Sequence, residues 1–220
     1  MVVGLGYVGL PLALAVASAG YETTGFDVDP GRVAQLLAGE SYLPADVSDD
    51  QLAGSSAGWT SDVAVLAAAD VVIVAVPTPL LDGGPDLGAI QAAVGAVAAH
   101  LRRGQLVVLE STTYPGTTEE VLQPVLEGGG LRAGVDFALA FSPERVDPAS
   151  SWDVSSTPKV VGGVTPADSL VTERFYRAFV PAVHVTSSPR EAEMAKLIEN
   201  TFRQVNIGLV NELAPLAPAL

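Results

Sequence analysis

Gly4-Leu5-Gly6-Tyr7-Val8-Gly9, followed by Asp27 18 residues after the third glycine, constrains this chain more than any other feature. The first glycine suits a tight turn, the second lets a backbone come close to a pyrophosphate, and the third lets a helix pack closely on its strand. A helix expected over residues 11–19 would aim its N–H groups and the positive end of its dipole at those phosphates. Glycine-rich turns also occur for structural reasons alone, wherever a strand passes into a crossover helix. The context favours a dinucleotide here. Residues 21–26 read as a second strand, and Asp27 stands at its end, where a carboxylate would receive a ribose hydroxyl. The same carboxylate would repel a 2′-phosphate, which argues for NAD over NADP, while Arg32 close by pulls the other way.

Beyond this turn the pattern alternates strand and helix, which implies an α/β fold with a Rossmann-like, doubly wound parallel sheet. Apolar strand candidates are residues 21–26, 71–76, 106–109, 137–140, 159–161 and 182–185, and helices are expected at 31–38, 62–68, 87–101, 117–126 and 166–179. Residues 71–76 are nearly all β-branched with no polar alternation, as suits a central strand covered on both faces. The Ser-, Asp- and Gly-rich stretch 41–58 reads as a connection carrying one short helix. Met1-Val2-Val3 leaves barely half a strand before Gly4, given a usual length of about five or six residues, so the first strand is expected to be clipped. At 220 residues the chain suits one large domain better than a complete two-domain enzyme.

Charge and composition remove several function classes. With 25 acidic against 11 basic residues the net charge is −14, which repels nucleic acid and anionic membrane at long range. A bound anion must therefore be held by local N–H groups and a few placed cations. There is no cysteine, so disulfides, thiolate metal sites and cysteine nucleophiles are excluded within this chain. His100 and His184 stand far apart with no ligand-spaced partner, and no metal site is expected. The most apolar stretch, residues 63–76, is interrupted by Asp70 and falls short of the ~20 residues that span a bilayer. The apolar N-terminus lacks a basic leader, and a cytoplasmic location is the default expectation.

From Pro189 the pattern becomes one long helix, residues 190–214, without a following strand. Lys196, Asn200, Arg203, Ile207 and Asn211 fall at steps of four, three, four and four, which gathers them on one stripe. Met194, Leu197, Ile198, Phe202, Val205, Leu209, Val210 and Leu213 flank it, so the helix is expected to be buried, with its polar stripe facing a ligand, water or neighbouring loops. Three segments follow strands, where ligands of such sheets bind. They are Val76-Pro77-Thr78-Pro79, Glu110-Ser111-Thr112-Thr113-Tyr114-Pro115-Gly116 and Phe141-Ser142-Pro143-Glu144-Arg145-Val146. Each alone could be capping or turn chemistry; together, beside a dinucleotide turn, they suggest an active site.

These segments, with Gly-Leu-Gly-Tyr-Val-Gly-Leu-Pro-Leu-Ala before them and Ala-Lys-Leu-Ile-Glu-Asn-Thr-Phe-Arg-Gln-Val-Asn-Ile after, stand in the order seen in nucleotide-sugar 6-dehydrogenases. The chain resembles the UDP-glucose and UDP-N-acetylhexosamine dehydrogenase family over essentially its whole length. Its Ser-Thr-Thr-Tyr-Pro-Gly and Pro-Glu-Arg-Val forms look more like the N-acetylhexosamine branch. The resemblance implies two successive oxidations of a sugar C6 alcohol to a carboxylate with two NAD, on a UDP-sugar substrate. It implies cofactor contacts from Gly4, Gly6, Tyr7, Val8, Gly9, Asp27, Arg32, Thr78 and Thr112, and a catalytic set of Thr112, Glu144, Lys196 and Asn200. Glu144, Lys196 and Asn200 would also meet the substrate, joined by Arg145 and Arg203 at the sugar or phosphate. Residues 1–188 would form the NAD-binding domain and 189–220 the beginning of a central helical domain through which the complete protein dimerises. The family's nucleophilic cysteine and its UDP-binding C-terminal domain would lie beyond Leu220. UDP-glucose 6-dehydrogenase and a non-catalytic NAD-binding module are the alternatives.

Overall fold

In the computed structural model, which describes residues 1–81, 83–144 and 154–219, the alternation forms a single main sheet with helices on both faces. In chain order the elements are β1 (Val2–Val3), α1 (Gly9–Ser18), β2 (Thr24–Phe26), α2 (Pro30–Leu37), α3 (Asp49–Ala53), β3 (Gly58–Thr60) and β4 (Val71–Val74). A small hairpin of β5 (Leu80–Leu81) and β6 (Gly84–Pro85) precedes α4 (Gly88–His100) and β7 (Leu106–Leu109). There follow α5 (Gln123–Glu127), β8 (Ala138–Phe141), β9 (Lys159–Gly163), α6 (Pro166–Tyr176), β10 (Val183–Val185) and α7 (Pro189–Leu213).

The sheet order is β10-β9-β8-β7-β4-β1-β2-β3. From β3 to β8 all neighbours are parallel, and the strand order reverses between β1 and β4, which is where a crevice opens beyond the carboxyl ends. The central position of β4 follows from its composition. Val72 and Val74 point into one apolar cluster with Val3, Val107 and Leu109, while Ile73 points into the other with Val2, Leu10 and Val108. Short as it is, β1 pairs with both β2 and β4.

The sheet is parallel as expected over six strands and reverses at its far side. β9 pairs with β8 antiparallel, and β10 pairs with β9 parallel, so the last two strands run against the other six. A parallel return needs a crossover, usually a helix, and among the described residues the β8–β9 connection holds only the 3₁₀ turn Val154–Ser156. Other elements also differ from their expected form. Residues Val63–Ala68 are 3₁₀ rather than α. The helix expected at 117–126 is a π turn, Thr118–Leu122, leading into α5. Pro124 near the start of α5 has no N–H to give the preceding turn, which favours the break there. The edge strand β3 was not expected, since three residues around Trp59 carry too little pattern.

The long helix forms where expected, capped by the Ser188 side chain on Glu191 N–H, yet it is not buried as expected. Only Pro189, Ala192 and Glu193 are buried, while Met194, Ile198, Phe202, Val205, Leu209, Val210 and Leu213 are exposed. The cause is length. A helix of 25 residues spans roughly 37 Å, and its opening turns alone suffice to cross the short strands β9 and β8. No helix among the described residues is long and apolar enough to cross a membrane.

Candidate active site

The first part of the site is the glycine turn between β1 and α1. Gly4 has φ +90°, a left-handed conformation, and a Cβ at Gly9 would lie 1.8 Å from the Gly4 carbonyl oxygen. These two glycines are required by the turn itself. Gly6 differs, because a Cβ there would meet nothing within 4 Å, so the space over it is open for a ligand. Side chains cap the N-termini of α2, α3, α6 and α7, but none caps α1. An uncapped helix start behind an open glycine fits a pyrophosphate.

Asp27 lies at the carboxyl end of β2 and is buried. Its Oδ2 accepts Leu5 N–H at 2.8 Å and its Oδ1 accepts Asp29 N–H at 3.0 Å, with the Arg32 guanidinium 3.7 Å away. A carboxylate has about four lone-pair sites, so both oxygens retain capacity for ribose hydroxyls. Arg32 also lies over the ring of Tyr42, whose hydroxyl donates to Leu5 O at 2.5 Å. Burial, with the nearby charges of Asp27 and Asp29, pushes the Tyr42 phenol up to about 12. Tyr7 is exposed and Val8 half-buried at the mouth of the turn.

The second part is built by the strand-end segments. Thr78 Oγ1 donates to Thr112 O at 2.8 Å and Ser111 Oγ to Val76 O at 2.7 Å, which binds the segments after β4 and β7 together. Glu144, five per cent exposed, follows β8. Its backbone carbonyl accepts a hydrogen bond from the Lys196 ammonium on α7. Burial pushes the Lys196 ammonium below its ordinary value, against the charges of Glu144 and Glu199 that favour it. Thus Thr78 meets Thr112, and Glu144 meets Lys196. Asn200 and Arg203 lie exposed further along α7, and Arg145 is outside the described residues.

Sequence reasoning missed the groups beneath these. Lys159 Nζ is 2.6 Å from Glu110 Oε2 and 3.2 Å from Glu144 Oε2, with all three side chains buried. The Tyr176 hydroxyl donates to Glu110 Oε1. Burial alone would lower the Lys159 ammonium, but the charges of Glu110 and Glu144 outweigh it and hold it above its ordinary value. Burial pushes up the Glu110 carboxyl, opposed by Lys159, and holds the Tyr176 phenol well above the usual range. Glu193 is likewise buried and accepts from Gly116 N–H at 2.6 Å, Thr118 N–H at 2.8 Å and Thr118 Oγ1 at 2.7 Å. The available signal was a charged residue at the border of an apolar strand, Glu110 after β7 and Lys159 opening β9. Among the described residues no cluster of three His, Asp or Glu could hold a metal.

A doubly wound sheet with an open glycine turn, an uncapped helix start and a buried aspartate after the second strand defines a dinucleotide-binding domain of the dehydrogenase kind. Residues 1–180 match the NAD binding domain of the UDP-glucose/GDP-mannose dehydrogenase family, and residues 190–220 match that family's central domain. The chain belongs to this family. It is 43% identical to the UDP-N-acetyl-D-glucosamine 6-dehydrogenase of Pseudomonas aeruginosa, over 97% of this chain and 51% of that protein. With the UDP-N-acetyl-D-mannosamine dehydrogenase of Pyrococcus horikoshii the identity is 38%, over 98% of this chain and 53% of that protein. Among solved structures, a UDP-D-ManNAc dehydrogenase from Pyrococcus horikoshii matches with a TM-score of 0.90 at 39% identity, covering 99% of this chain and 54% of that one. A ternary complex of GDP-mannose dehydrogenase from Pseudomonas aeruginosa matches with a TM-score of 0.91 at 27% identity, covering 99% and 52%. The chain spans about half the length of these relatives.

Proposed function

We propose that this chain is the NAD-binding domain, residues 1–188, and the opening of the central helical domain, residues 189–220, of a UDP-N-acetylhexosamine 6-dehydrogenase. The complete enzyme oxidises the C6 alcohol of UDP-GlcNAc or UDP-ManNAc to a carboxylate, works in the cytoplasm and pairs as a homodimer along α7. The observation that carries this reading is the meeting of the Lys196 ammonium with Glu144 at the carboxyl end of the sheet, beside a dinucleotide turn. The names of the N-acetylhexosamine relatives support the substrate class.

In this reading Gly4, Gly6, Tyr7, Val8 and Gly9 carry the pyrophosphate, Asp27 and Arg32 the ribose, and Thr78 and Thr112 the cofactor's reacting end. NAD, when bound, supplies the hydride acceptor. Lys196 and Asn200 stabilise negative charge on the sugar oxygen, since an ammonium in a site shielded from water stabilises a developing alkoxide far more than it would in bulk solvent. Glu144 lies between cofactor and sugar, and Arg145 and Arg203 contact the sugar or phosphate. The exposed apolar residues of α7 supply the surface for the dimer.

Incubation of the complete enzyme with NAD and, separately, UDP-GlcNAc, UDP-ManNAc and UDP-glucose tests the reading. Two NADH per sugar and a uronate product from either N-acetylhexosamine are expected. Turnover of UDP-glucose alone would move the enzyme to the UDP-glucose branch. Tight NAD binding without turnover of any of the three would make the chain a non-catalytic module.

A further inference from the structure

The chain has two lysines and nine arginines, and both lysines bond to Glu144. Lys159 holds its carboxylate, 3.2 Å away at Oε2, and Lys196 holds its backbone carbonyl. The ion pairs whose cation is exposed use arginine instead, at Arg32, Arg102, Arg103, Arg177 and Arg190. The chemistry of the heads explains the division. A guanidinium is a planar fork suited to one bidentate partner, whereas an ammonium is a compact point charge with three donors that can be aimed apart. Lys159 aims one at Glu110 and one at Glu144, with Nζ 5.3 Å from the centre of the Tyr176 ring.

Topology places it there. β9 runs against β8, with Phe141 facing Gly162 and Ala140 facing Gly163. The first residue of β9 therefore comes to the carboxyl ends of β7 and β8, beside the residues that follow them, Glu110 and Glu144. A parallel β9 would have put Lys159 at the opposite edge of the sheet. Glu110, braced by Tyr176, already balances the charge of the ammonium, which still has donors to aim elsewhere. The second contact goes to the residue that also receives Lys196.

We propose that Lys159 is a positioning residue, which holds Glu144 at the crevice and, through the Glu144 backbone, fixes where Lys196 presents its ammonium. The role in turnover rests on the reading of Lys196 and Glu144 given above; the coupling of the two lysines through Glu144 rests on the geometry alone.

Two variants separate positioning from stability. Glu110→Gln removes the structural partner and leaves Lys159 to Glu144. Lys159→Met combined with Glu110→Gln removes one positive and one negative charge together, so the buried net charge is kept while Glu144 loses its contact with Lys159. In the complete enzyme Glu110→Gln is expected to keep kcat near the wild-type value. The double variant is expected to lose about 10²-fold, the scale of a ~1 Å misplacement, with unchanged affinity for NAD. Equal kcat in the two variants overturns the proposal.

A second readout needs no turnover. With lysine labelled at ¹³Cε, the 220-residue chain gives two side-chain resonances. Glu144→Gln is expected to shift both, and the double variant to move the remaining Lys196 resonance toward the position of a solvated lysine. A Lys196 resonance unmoved in the double variant, or only one resonance moved by Glu144→Gln, overturns the proposal. Were the activity reading wrong instead, the wild-type enzyme would turn over no UDP-sugar while both resonance shifts still supported the coupling.

Discussion

Gly6 and Gly9 look alike in a glycine-rich turn, yet their surroundings assign them different work. At Gly9 an added Cβ would strike the Gly4 carbonyl oxygen at 1.8 Å, and at Gly6 it would meet no protein atom within 4 Å. Gly9→Ala is therefore expected to destabilise the chain by about 4 kcal/mol or more, at the far tail of single substitutions. Gly6→Ala should leave the thermal midpoint of the free chain in place and weaken NAD by about tenfold or more, or about 1.4 kcal/mol. Scanning calorimetry and titration calorimetry on both variants check this, and equal losses of stability would refute the distinction. A motif shows that three glycines matter without showing which of them serves the fold. Tyr42, which no motif or spacing singles out, braces the same turn through Leu5 O. Its phenol titrates at about 12 in the folded chain against 10.0 ordinarily, so the folded state holds that proton more tightly than the unfolded state does. The resulting stability is fully present below pH 10 and is lost as pH rises toward 12. Urea unfolding at a series of pH values should show the advantage of wild type over Tyr42→Phe shrinking across that interval; a constant advantage would remove the bond's role.

At the scale of elements, apolar pattern placed the strands well but not their directions. Residues 106–109 form β7 as expected, and 71–76 contain β4, because runs without polar alternation are stable only where both faces are covered. The reversal of β9 could not be read the same way, since a strand's direction is set by its connection and not by its own side chains. With the direction unknown, Lys159 read only as the opening of one more apolar strand candidate, and its meeting with Glu110 and Glu144 stayed hidden. The polar stripe on α7 did include Lys196, which meets Glu144, but what fixes the helix against the neighbouring segment is Glu193. Its buried carboxylate gathers Gly116 N–H, Thr118 N–H and the Thr118 hydroxyl from the segment that also carries Thr112. One turn earlier Arg190 pairs with Glu119 and Glu120 across a more exposed surface. Loss of the buried acceptor leaves interior N–H groups unsatisfied, at about 1–3 kcal/mol each, whereas exposed ion pairs contribute about 0–1 kcal/mol. Glu193→Ala should thus cost about 3 kcal/mol or more, and Arg190→Ala no more than about 1 kcal/mol. Denaturant titrations of the two variants decide it, and a similar small loss in both would mean that Glu193 does not set the helix.

On the scale of the whole molecule, the sequence overstated how much of α7 this chain can cover, because an apolar helix pattern records that a partner is needed without saying which polypeptide supplies it. Phe202, Val205, Leu209 and Leu213 are exposed, so nothing among the described residues covers them. The same division governs chemistry. The dinucleotide turn, Asp27, Thr78, Thr112, Glu144 and Lys196 are here, while the chain has no cysteine and spans about half the length of its relatives. NAD, held by the glycine turn, Asp27, Thr78 and Thr112, would supply the hydride acceptor for the proposed oxidation of the C6 alcohol, whose first product would be an aldehyde. A second hydride can leave only after a nucleophile adds to that aldehyde. In the proposed enzyme a cysteine thiolate would be that nucleophile and would carry the carbon to the acid level as a thioester that water cleaves. Residues 1–220 contain no cysteine, so in the proposed reading they hold the cofactor and the charge-stabilising groups without the nucleophile that commits the aldehyde to the second step. The 220-residue chain alone is therefore expected to bind NAD and to form no uronate from UDP-GlcNAc or UDP-ManNAc. Incubation with NAD and each sugar, followed by NADH absorbance and mass spectrometry of the product, tests this. Two NADH per sugar at an enzymatic rate would show that residues of this chain supply the nucleophile and the UDP site, and would require a different chemistry at Glu144 and Lys196.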